Sequence, residues 1–333
     1  MMRRRALITL LGATALTWPL AGRAQQPDPM RRIAVLVGNV ASASEPFAQE
    51  QLRPFQASMR DAGWIEGKNI HVEYRFGSGD RAQLQRAASD LVASGPELIY
   101  AITTGSVEAV REKTSTIPIV FSEVADAIGR GFVASLARPG GNVTGFVVWE
   151  PATASKWVEL LKEIAPNVNR IGIMFNPEMA PFAGPLIAEA ERATGHDGSL
   201  VKYPVRDDSQ IDKALAALGR KPRGGLVLIA DAFTTAHMDY IIVEAARFQV
   251  PTMYTGAKFA IRRGGLISYA FAFEAHMRQP VTYINRILKG EKPANLPVQA
   301  PTKYELALNL KTAKALGLTI PPSLLQRADQ VIE

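Results

Sequence analysis

The side chains that could carry out catalysis are few and widely spaced. The chain has no Cys, which excludes thiol nucleophiles, thiolate zinc sites, iron–sulfur clusters and disulfides. Asp231 and His237 could act as a base and its orienting partner, but no nucleophile lies near them in sequence. No His has a second His four residues on or a Glu beside it, so no helical zinc site is predicted. We interpret all four as surface or structural residues: His71, His196, His237 and His276.

Sequence motifs for cofactors and covalent catalysis are also absent. The chain contains no G-x-G-x-x-G, no G-x-x-x-x-G-K-[ST] and no G-x-S-x-G. The Arg262-Arg263 pair is compatible with bidentate binding of an anion, or with a solvated turn before Gly264. We therefore predict no catalytic residue, no cofactor and no metal, and a protein that is not an enzyme.

Small polar residues instead follow the short apolar runs of the chain. Such residues can hold a small polar ligand by hydrogen bonds, although each could also be a helix cap or a turn residue. The candidate ligand-binding residues in the first half are Gly38, Asn39, Thr103, Thr104, Ser122 and Glu123. Those in the second half are Asn176, Asp231, Tyr254 and Thr255.

The elements that must position these residues alternate between strands and helices. Residues 32–37, 98–102 and 117–121 have the continuous apolar pattern of buried strands. Residues 47–62 read as a helix, and another helix begins at Asp80 as its N-cap and stops at Gly95-Pro96. This alternation predicts a parallel sheet covered by helices on both faces.

The same order of segments recurs in the second half of the chain. Residues 32–37 match 170–175, Asp80 matches Asp208, 98–102 match 226–230 and Ile117-Pro118 match Val250-Pro251. These pairs lie 138, 128, 128 and 133 residues apart. Four matches in one order predict two similar doubly wound α/β lobes, with a single long doubly wound sheet as the alternative. Because ligands bind at the carboxyl ends of parallel strands, two facing lobes would form a cleft lined by the candidate residues.

The N-terminal 24 residues have the pattern of a cleaved secretory signal peptide. Three arginines precede an apolar run from Ala6 to Leu16, and small residues lead to Ala24. That run is too short to span a bilayer, and no later segment is long enough. Four of the 38 Lys and Arg lie in this segment, leaving 34 against 31 Asp and Glu, a net charge of +3. We therefore predict an exported chain without a membrane span and without nucleic-acid affinity.

Several stretches resemble one known family. They are the leader RRRALITLLG at residues 3–12, SLARPGGNVTG at 135–145, GGLISY at 264–269 and NLKTAKALGLTIPPSLL at 309–325. These are similar to stretches of ABC transporter substrate-binding proteins, and the resemblance runs through the whole chain.

The resemblance implies the fold of a type I periplasmic binding protein, two α/β lobes joined by three crossovers and a hinge. It implies one lobe of residues 30–147 plus 265–292 and a second of residues 148–264 plus 293–333. Some similar proteins take up tryptophan or tyrosine.

Two departures from the family's pattern bear on the ligand. Asp126 is followed by Ala127 where Pro is expected, and Tyr269 is followed by Ala270-Phe271 where Gly and an acidic residue are usual. The resemblance places both segments near the cleft, which adds Asp126 and Tyr269 to the candidate ligand-binding residues. Since Phe271 makes the cleft more apolar, amino acids, aromatic acids, carboxylates and urea-like compounds all remain open as ligands.

We therefore expect a monomeric periplasmic protein that closes on one small organic molecule and delivers it to an ABC permease. Two alternatives remain open from the sequence. One is an extracytoplasmic sensor that presents its closed form to a signalling receptor. The other is a periplasmic hydrolase or lyase on the same scaffold, which the missing nucleophile and metal motifs argue against.

Overall fold

The first half of the chain alternates strands with helices, as its apolar runs predict. A computed structural model describes residues 30–149, 151–195, 199–219, 223–256 and 259–333, so the expected signal peptide and His196 lie outside the described residues. The first elements are β1 (Arg31–Val37), α1 (Pro46–Asp61), β2 (Ile70–Phe76), α2 (Arg81–Ala93), β3 (Leu98–Ile102), α3 (Thr104–Arg111), β4 (Ile119–Val124) and β5 (Val143–Val147). Asp80 caps α2 as predicted, because its Oδ1 accepts a hydrogen bond from the Gln83 backbone N–H at 2.7 Å.

The second half repeats this alternation. Its elements are α4 (Thr153–Ile164), β6 (Arg170–Phe175), α5 (Ala183–Thr194), β7 (Ser199–Pro204), α6 (Asp208–Gly219), β8 (Gly224–Leu228), α7 (Ala232–Ala236), α8 (Met238–Arg247), β9 (Thr252–Tyr254), α9 (Phe259–Arg262) and β10 (Ile267–Phe271). The last elements are α10 (Phe273–Arg278), α11 (Pro280–Leu288), a 3₁₀ turn (Pro293–Asn295), β11 (Tyr304–Asn309), α12 (Leu310–Ala315), α13 (Pro322–Arg327) and β12 (Gln330–Ile332).

The two sheets share one topology. The first has the order β2-β1-β3-β4-β5, and the second contains β7-β6-β8-β9-β10 in the same parallel arrangement. The second sheet then continues with β11, antiparallel to β10, and β12, parallel to β11. The predicted repeat is therefore confirmed in three dimensions, and the α/β fold with two similar parallel-sheet lobes is the observed one.

The chain passes three times between the lobes. It crosses after β5, again at Ala272 between β10 and α10, and finally after Gln299, whose backbone N–H still bonds to Gly145 of the first lobe. The lobe boundaries implied by the resemblance place residues 265–292 in the first lobe. The structure differs at residues 267–271, because β10 pairs with β9 as the second-lobe equivalent of β5, and at residues 293–299, which lie with α10 and α11 against the first lobe.

Helices α10 and α11 are fixed to the first lobe by specific contacts. Arg278 forms an ion pair with Asp61 at the end of α1, and the Trp64 indole N–H donates to Asn285 at 3.3 Å. None of the helices in the described ranges combines the length and the apolar character needed to cross a bilayer.

Candidate functional site

The strands of both sheets end at a cavity between the lobes. The cavity is partly open to solvent, and the space free of atoms, counted together with the solvent at its mouth, is about 500 Å³. Its polar lining consists of Asn39, Thr103, Thr104, Glu123, Asp231 and Thr235. Its aromatic lining consists of Phe47, Trp149, Phe182, Phe259, Phe271 and Phe273, and the remaining wall is Val148, Met179, Ala230, Ala232 and Gly256. Five of the twelve predicted ligand-binding residues therefore meet in one place.

Gly38 allows the end of β1 to approach the end of β3. A Cβ atom at this position would lie 2.2 Å from Thr103 Oγ1 and 2.7 Å from Ser106 Oγ, so no larger residue fits. The Ser106 hydroxyl donates to the Ile102 carbonyl at 2.7 Å and pairs with Thr103 Oγ1 at 3.1 Å. Gly38 does not line the cavity, but its missing side chain sets the position of Thr103.

Backbone strain is concentrated at the strand ends of the first lobe. Thr103, Glu123 and Asp126 have φ angles of 91°, 54° and 52°, in a region that residues with a Cβ rarely adopt. Such conformations cost on the order of 1–3 kcal/mol each and occur preferentially at functional sites. The strain therefore marks the same segments that the sequence predicts to bind a ligand.

Helices α3 and α7, which begin at the cavity after equivalent strands of the two lobes, have opposite N-terminal chemistry. Thr103 precedes α3 without any side-chain cap, whereas Asp231 caps α7 by accepting from the Thr234 backbone N–H at 2.8 Å. In return, Thr234 Oγ1 accepts a hydrogen bond from the Asp231 backbone N–H at 2.9 Å, which completes a capping box. Thr103 and Asp231 are equivalent in the repeat, 128 residues apart. The uncapped first turn of α3 suits an anionic ligand group, whereas the carboxylate on α7 suits a cationic one.

Asp231 is buried and strongly hydrogen-bonded. Its Oδ2 accepts from the Asn176 backbone N–H at 2.8 Å, so the carboxylate connects the ends of β6 and β8. Burial raises the pKa of Asp231 to about 7, against the opposing effect of these backbone donors. Asp231 therefore serves both the structure of the lobe and the lining of the cavity.

Glu123 faces Asp231 from the other lobe. Its Oε2 accepts from Gln51 Nε2 at 3.0 Å, and its backbone N–H donates to His276 Nε2 at 3.4 Å. Burial raises the pKa of Glu123 to about 7 and lowers that of His276 to about 3. The imidazole of His276 is therefore neutral and has a structural role, as predicted for the histidines.

Two buried polar atoms of the lining have no hydrogen-bond partner among the described residues. They are Asn39 Oδ1, an acceptor, and Trp149 Nε1, a donor. An unsatisfied buried polar group costs about 1–3 kcal/mol, so each atom favours a ligand that supplies its partner. The lining thus calls for a ligand with both donors and acceptors.

Asp126 lies in a second cavity, beside the first. The two cavities share Trp149 and Phe182, whose ring centroids are 5.9 Å apart. Asp126 is exposed, and its Oδ1 accepts from the Gly129 backbone N–H at 2.9 Å. The predicted residue is thus beside the main cavity instead of in its wall.

Three further predicted residues are buried behind the cavity wall. Ser122 Oγ pairs with the Tyr100 hydroxyl at 2.6 Å, and Asn176 Oδ1 accepts from the backbone N–H groups of Glu178 and Met179. Thr255 Oγ1 accepts from the Ala230 N–H and donates to the Leu228 carbonyl, each at 2.9 Å. These side chains use their polar atoms to fix the strand ends.

The two predicted tyrosines also lie away from the cavity wall. Tyr254 is only 2% exposed, and its ring packs so closely on Gly265 that a Cβ there would lie 2.8 Å from Cε2. Tyr269 is half-buried and stacks on Tyr304 with ring centroids 5.4 Å apart. Alternation along β9 and β10 directs both rings into packing contacts.

The aromatic lining was largely missed by sequence reasoning, which searched the residues following each strand. Phe47 belongs to α1, Trp149 to the first crossover, and Phe273 to α10, so none of them immediately follows a strand that was expected to end at the cleft. Phe271 was the exception, since the departure from the family's pattern had indicated a more apolar cleft. The others come together only because the folding of the two lobes and the crossovers places these separate segments around one cavity.

The alternative chemistries considered from the sequence find no geometric support. His237 Nδ1 is 2.9 Å from the Phe233 carbonyl and its Nε2 is 3.7 Å from Asp208, so it does not pair with Asp231. Arg262 pairs with Glu50 at 2.9 Å and Arg263 with Asp239 at 3.0 Å. Within the described ranges, no cluster of three or more His, Cys, Asp or Glu is arranged to hold a metal ion.

Two lobes of one topology around a polar and aromatic cavity define a two-lobed ligand-binding protein. The chain belongs to the ABC transporter substrate binding protein family, whose sequence profile matches residues 37–332. This places it in the family that its sequence resembles.

Three similar proteins illustrate the relationship. A conserved domain protein from Vibrio cholerae is 28% identical, with a TM-score of 0.82 over 91% of this chain and 99% of that one. A Streptococcus pneumoniae protein solved in complex with L-Trp is 25% identical, with a TM-score of 0.81 over 91% and 100%. A tyrosine-binding protein of Clostridioides difficile is 24% identical over 85% of this chain and 81% of its own length.

Proposed function

We propose that this chain is an extracytoplasmic solute-binding protein that captures an amino acid with an aromatic or large apolar side chain. It is a monomer that closes on the ligand by a hinge motion and delivers it to an ABC permease in the inner membrane. The observation that carries the proposal is the interlobe cavity, which combines six aromatic residues with polar groups from both lobes.

The polar groups match the two charges of an amino acid. The uncapped N-terminus of α3, with Thr103 and Thr104, faces the ligand carboxylate. Glu123 and Asp231 accept hydrogen bonds from the ligand ammonium, and Asn39 Oδ1 gains the donor that it lacks. The aromatic rings then enclose the ligand side chain.

Two further observations support the proposal. Of the three similar proteins described above, one was solved in complex with L-Trp and one is a tyrosine-binding protein, and both ligands are amino acids with aromatic side chains. The N-terminal 24 residues have the features of a signal peptide, which fits a binding protein that works in the periplasm after cleavage near Ala24.

Calorimetry and thermal unfolding of the mature protein test the ligand class. The panel contains L-tryptophan, L-tyrosine and L-phenylalanine, with tryptamine lacking the carboxylate and indole-3-propionate lacking the ammonium. We expect at least one amino acid to bind, to raise the melting temperature, and to bind at least about tenfold more tightly than analogues that lack one charge, because losing a charged partner costs about 1.5–3 kcal/mol. The proposal would be contradicted if the analogues that lack a charged group bound as tightly as the amino acids. It would also be contradicted if no compound of the panel bound.

A further inference from the structure

The pairing of Glu123 with Gln51 leaves one polar atom of the amide without a partner. Gln51 Nε2 donates to Glu123 Oε2 at 3.0 Å, but Gln51 Oε1 is buried and has no partner among the described residues. A carboxylate can only accept hydrogen bonds, so it cannot satisfy this oxygen. A protonated carboxyl group can, because an acid and an amide form two antiparallel hydrogen bonds.

The groups around Glu123 do not stabilise a negative charge. On α10, His276 offers an unprotonated Nε2 to the Glu123 backbone N–H. On β3, the Tyr100 hydroxyl bonds to Ser122, and across the cavity lies a second carboxyl group, that of Asp231. Neither Lys nor Arg lines the described part of the cavity wall. Burial without a compensating cation raises the pKa of Glu123 to about 7, which agrees with the geometry.

Asp231 differs from Glu123 in its protein partners. Both of its oxygens already accept backbone N–H hydrogen bonds, from Thr234 and from Asn176. These donors oppose the effect of burial, which still raises the pKa of Asp231 to about 7, and they leave this carboxyl group little reason to change its partners when a ligand arrives. Among the described residues, the carboxyl group of Glu123 has one side-chain partner, Gln51, and its other oxygen can turn to the ligand.

We propose that Glu123 is protonated in the ligand-free protein and that it binds the ligand's ammonium group only after releasing its proton to solvent. The O–H bond of the carboxyl group breaks, one proton passes to the buffer, and the resulting carboxylate accepts a hydrogen bond from the ammonium group. Gln51 is a positioning residue, which holds the acid in the free protein and the carboxylate in the complex. This inference rests on the proposed function, since it requires a ligand that carries a cation.

The consequence is that ligand capture is coupled to pH. If only the ionised form binds, affinity should rise about tenfold between pH 6 and pH 8, the change in ionised fraction of a group that titrates near pH 7. The ammonium group of an amino acid keeps its charge over this range, so the change must come from the protein.

Calorimetry in buffers of different ionisation enthalpy counts the protons released when L-tryptophan or L-tyrosine binds. For the unmodified protein we expect about 0.5–1 proton released at pH 6.5 and few at pH 8.5. Glu123→Gln has no proton to lose at this position, so the part of the release and of the pH dependence that comes from Glu123 should disappear, and any part that comes from Asp231 should remain. Glu97→Gln, at an ion pair with Arg31 outside the cavity, is the matched control and should behave as the unmodified protein.

A pH titration of the free protein by infrared spectroscopy provides a readout that needs no ligand. At pH 6 the unmodified protein should show the C=O band of a protonated carboxyl group that Glu123→Gln lacks. This band should disappear by pH 8.5. Binding of either amino acid without proton release, or an ionised Glu123 at pH 6, would overturn this inference and leave the proposed function intact. Failure of both amino acids to bind, with the titration as expected, would count against the proposed function instead.

Discussion

The rings of Phe47 and Phe259 meet across the two lobes, with centroids 4.3 Å apart. Phe47 belongs to α1 of the first lobe and Phe259 to α9 of the second. The Arg263 guanidinium lies 5.7 Å and 5.6 Å from these two rings, and Arg262 pairs with Glu50 beside them. Contacts of this kind form only when the lobes are together, so the structure represents a closed arrangement.

The Glu50–Arg262 pair should contribute to closure and hence to affinity. Glu50→Arg should weaken ligand binding about 2–10-fold, because it replaces an attraction between partly exposed charges with a repulsion. The combined change Glu50→Arg with Arg262→Glu should recover most of the loss. Dissociation constants for the two variants and the unmodified protein provide the measurement, and normal binding by Glu50→Arg would show that the ion pair does not aid closure.

Trp149→Phe separates the hydrogen-bonding role of the indole from its packing. The substitution keeps an aromatic ring against Trp157, 5.7 Å away and perpendicular, but removes the unpartnered N–H. If a ligand acceptor uses that N–H, binding should weaken by about 1–3 kcal/mol, while the free protein is not destabilised beyond the small change in packing. If Trp149→Phe and the unmodified protein bind the tightest amino acid ligand with equal affinity, the role of Trp149 is packing alone.

Asp231→Ala should reduce both folding stability and binding. The substitution leaves two buried backbone N–H groups, those of Thr234 and Asn176, without their acceptor. Loss of a helix cap and of a buried acceptor together should lower the free energy of unfolding by about 1–3 kcal/mol. Thr235→Ala, in the same cavity wall but outside the cap, should affect binding only. Denaturant unfolding of both variants distinguishes the two roles, and an unchanged stability of Asp231→Ala would refute the structural one.

Tyr254→Ala should lower the free energy of unfolding without removing a contact to the ligand. Its ring is fully buried against Gly265 and does not line the cavity, so truncation creates a void costing about 3–5 kcal/mol. Tyr254→Phe keeps the packing and should preserve both stability and affinity to within about 1 kcal/mol. Loss of binding in a well-folded Tyr254→Phe would instead assign the hydroxyl group to the ligand.

The stability of the free protein should depend on Glu123 at neutral pH. Its pKa is about 7 when folded against 4.5 in a model peptide, so the folded state retains a proton that the unfolded state has lost. This contribution is fully present below pH 4.5 and is lost as the pH rises through 7. As the pH rises from 5 to 8, the free energy of unfolding of Glu123→Gln should therefore increase by about 1–3 kcal/mol relative to that of the unmodified protein. Denaturant unfolding at the two pH values provides the measurement.

His276 acts in the opposite direction at lower pH. Its pKa is about 3 when folded and 6.5 in a model peptide, so stability falls as the pH drops below 6.5. Comparing Glu123→Gln with the unmodified protein cancels this contribution. A parallel pH dependence of the two proteins would contradict the assignment of Glu123.

The fold was largely predictable from sequence, because buried parallel strands and their caps are local signals. The run 98–102 and the cap at Asp80 needed no tertiary information, and the repeat of both halves gave the topology. Asn39, Thr103, Thr104, Glu123 and Asp231 were accessible to the same reasoning because the ends of parallel strands converge. Tyr254 was not, since whether a strand-end ring enters the cavity or the core depends on the facing surface, here Gly265.

The equivalence of Thr103 and Asp231 has a consequence for the direction in which a ligand binds. Two copies of one topology facing each other approach twofold symmetry, and a symmetric cleft would accept an asymmetric molecule equally well in either direction. Replacing a bare helix terminus by a carboxylate at the corresponding position removes that ambiguity. One substitution between duplicated halves is enough to give the cleft a head and a tail, and a reversed ligand would place its anion against Asp231 and its cation against the positive end of α3.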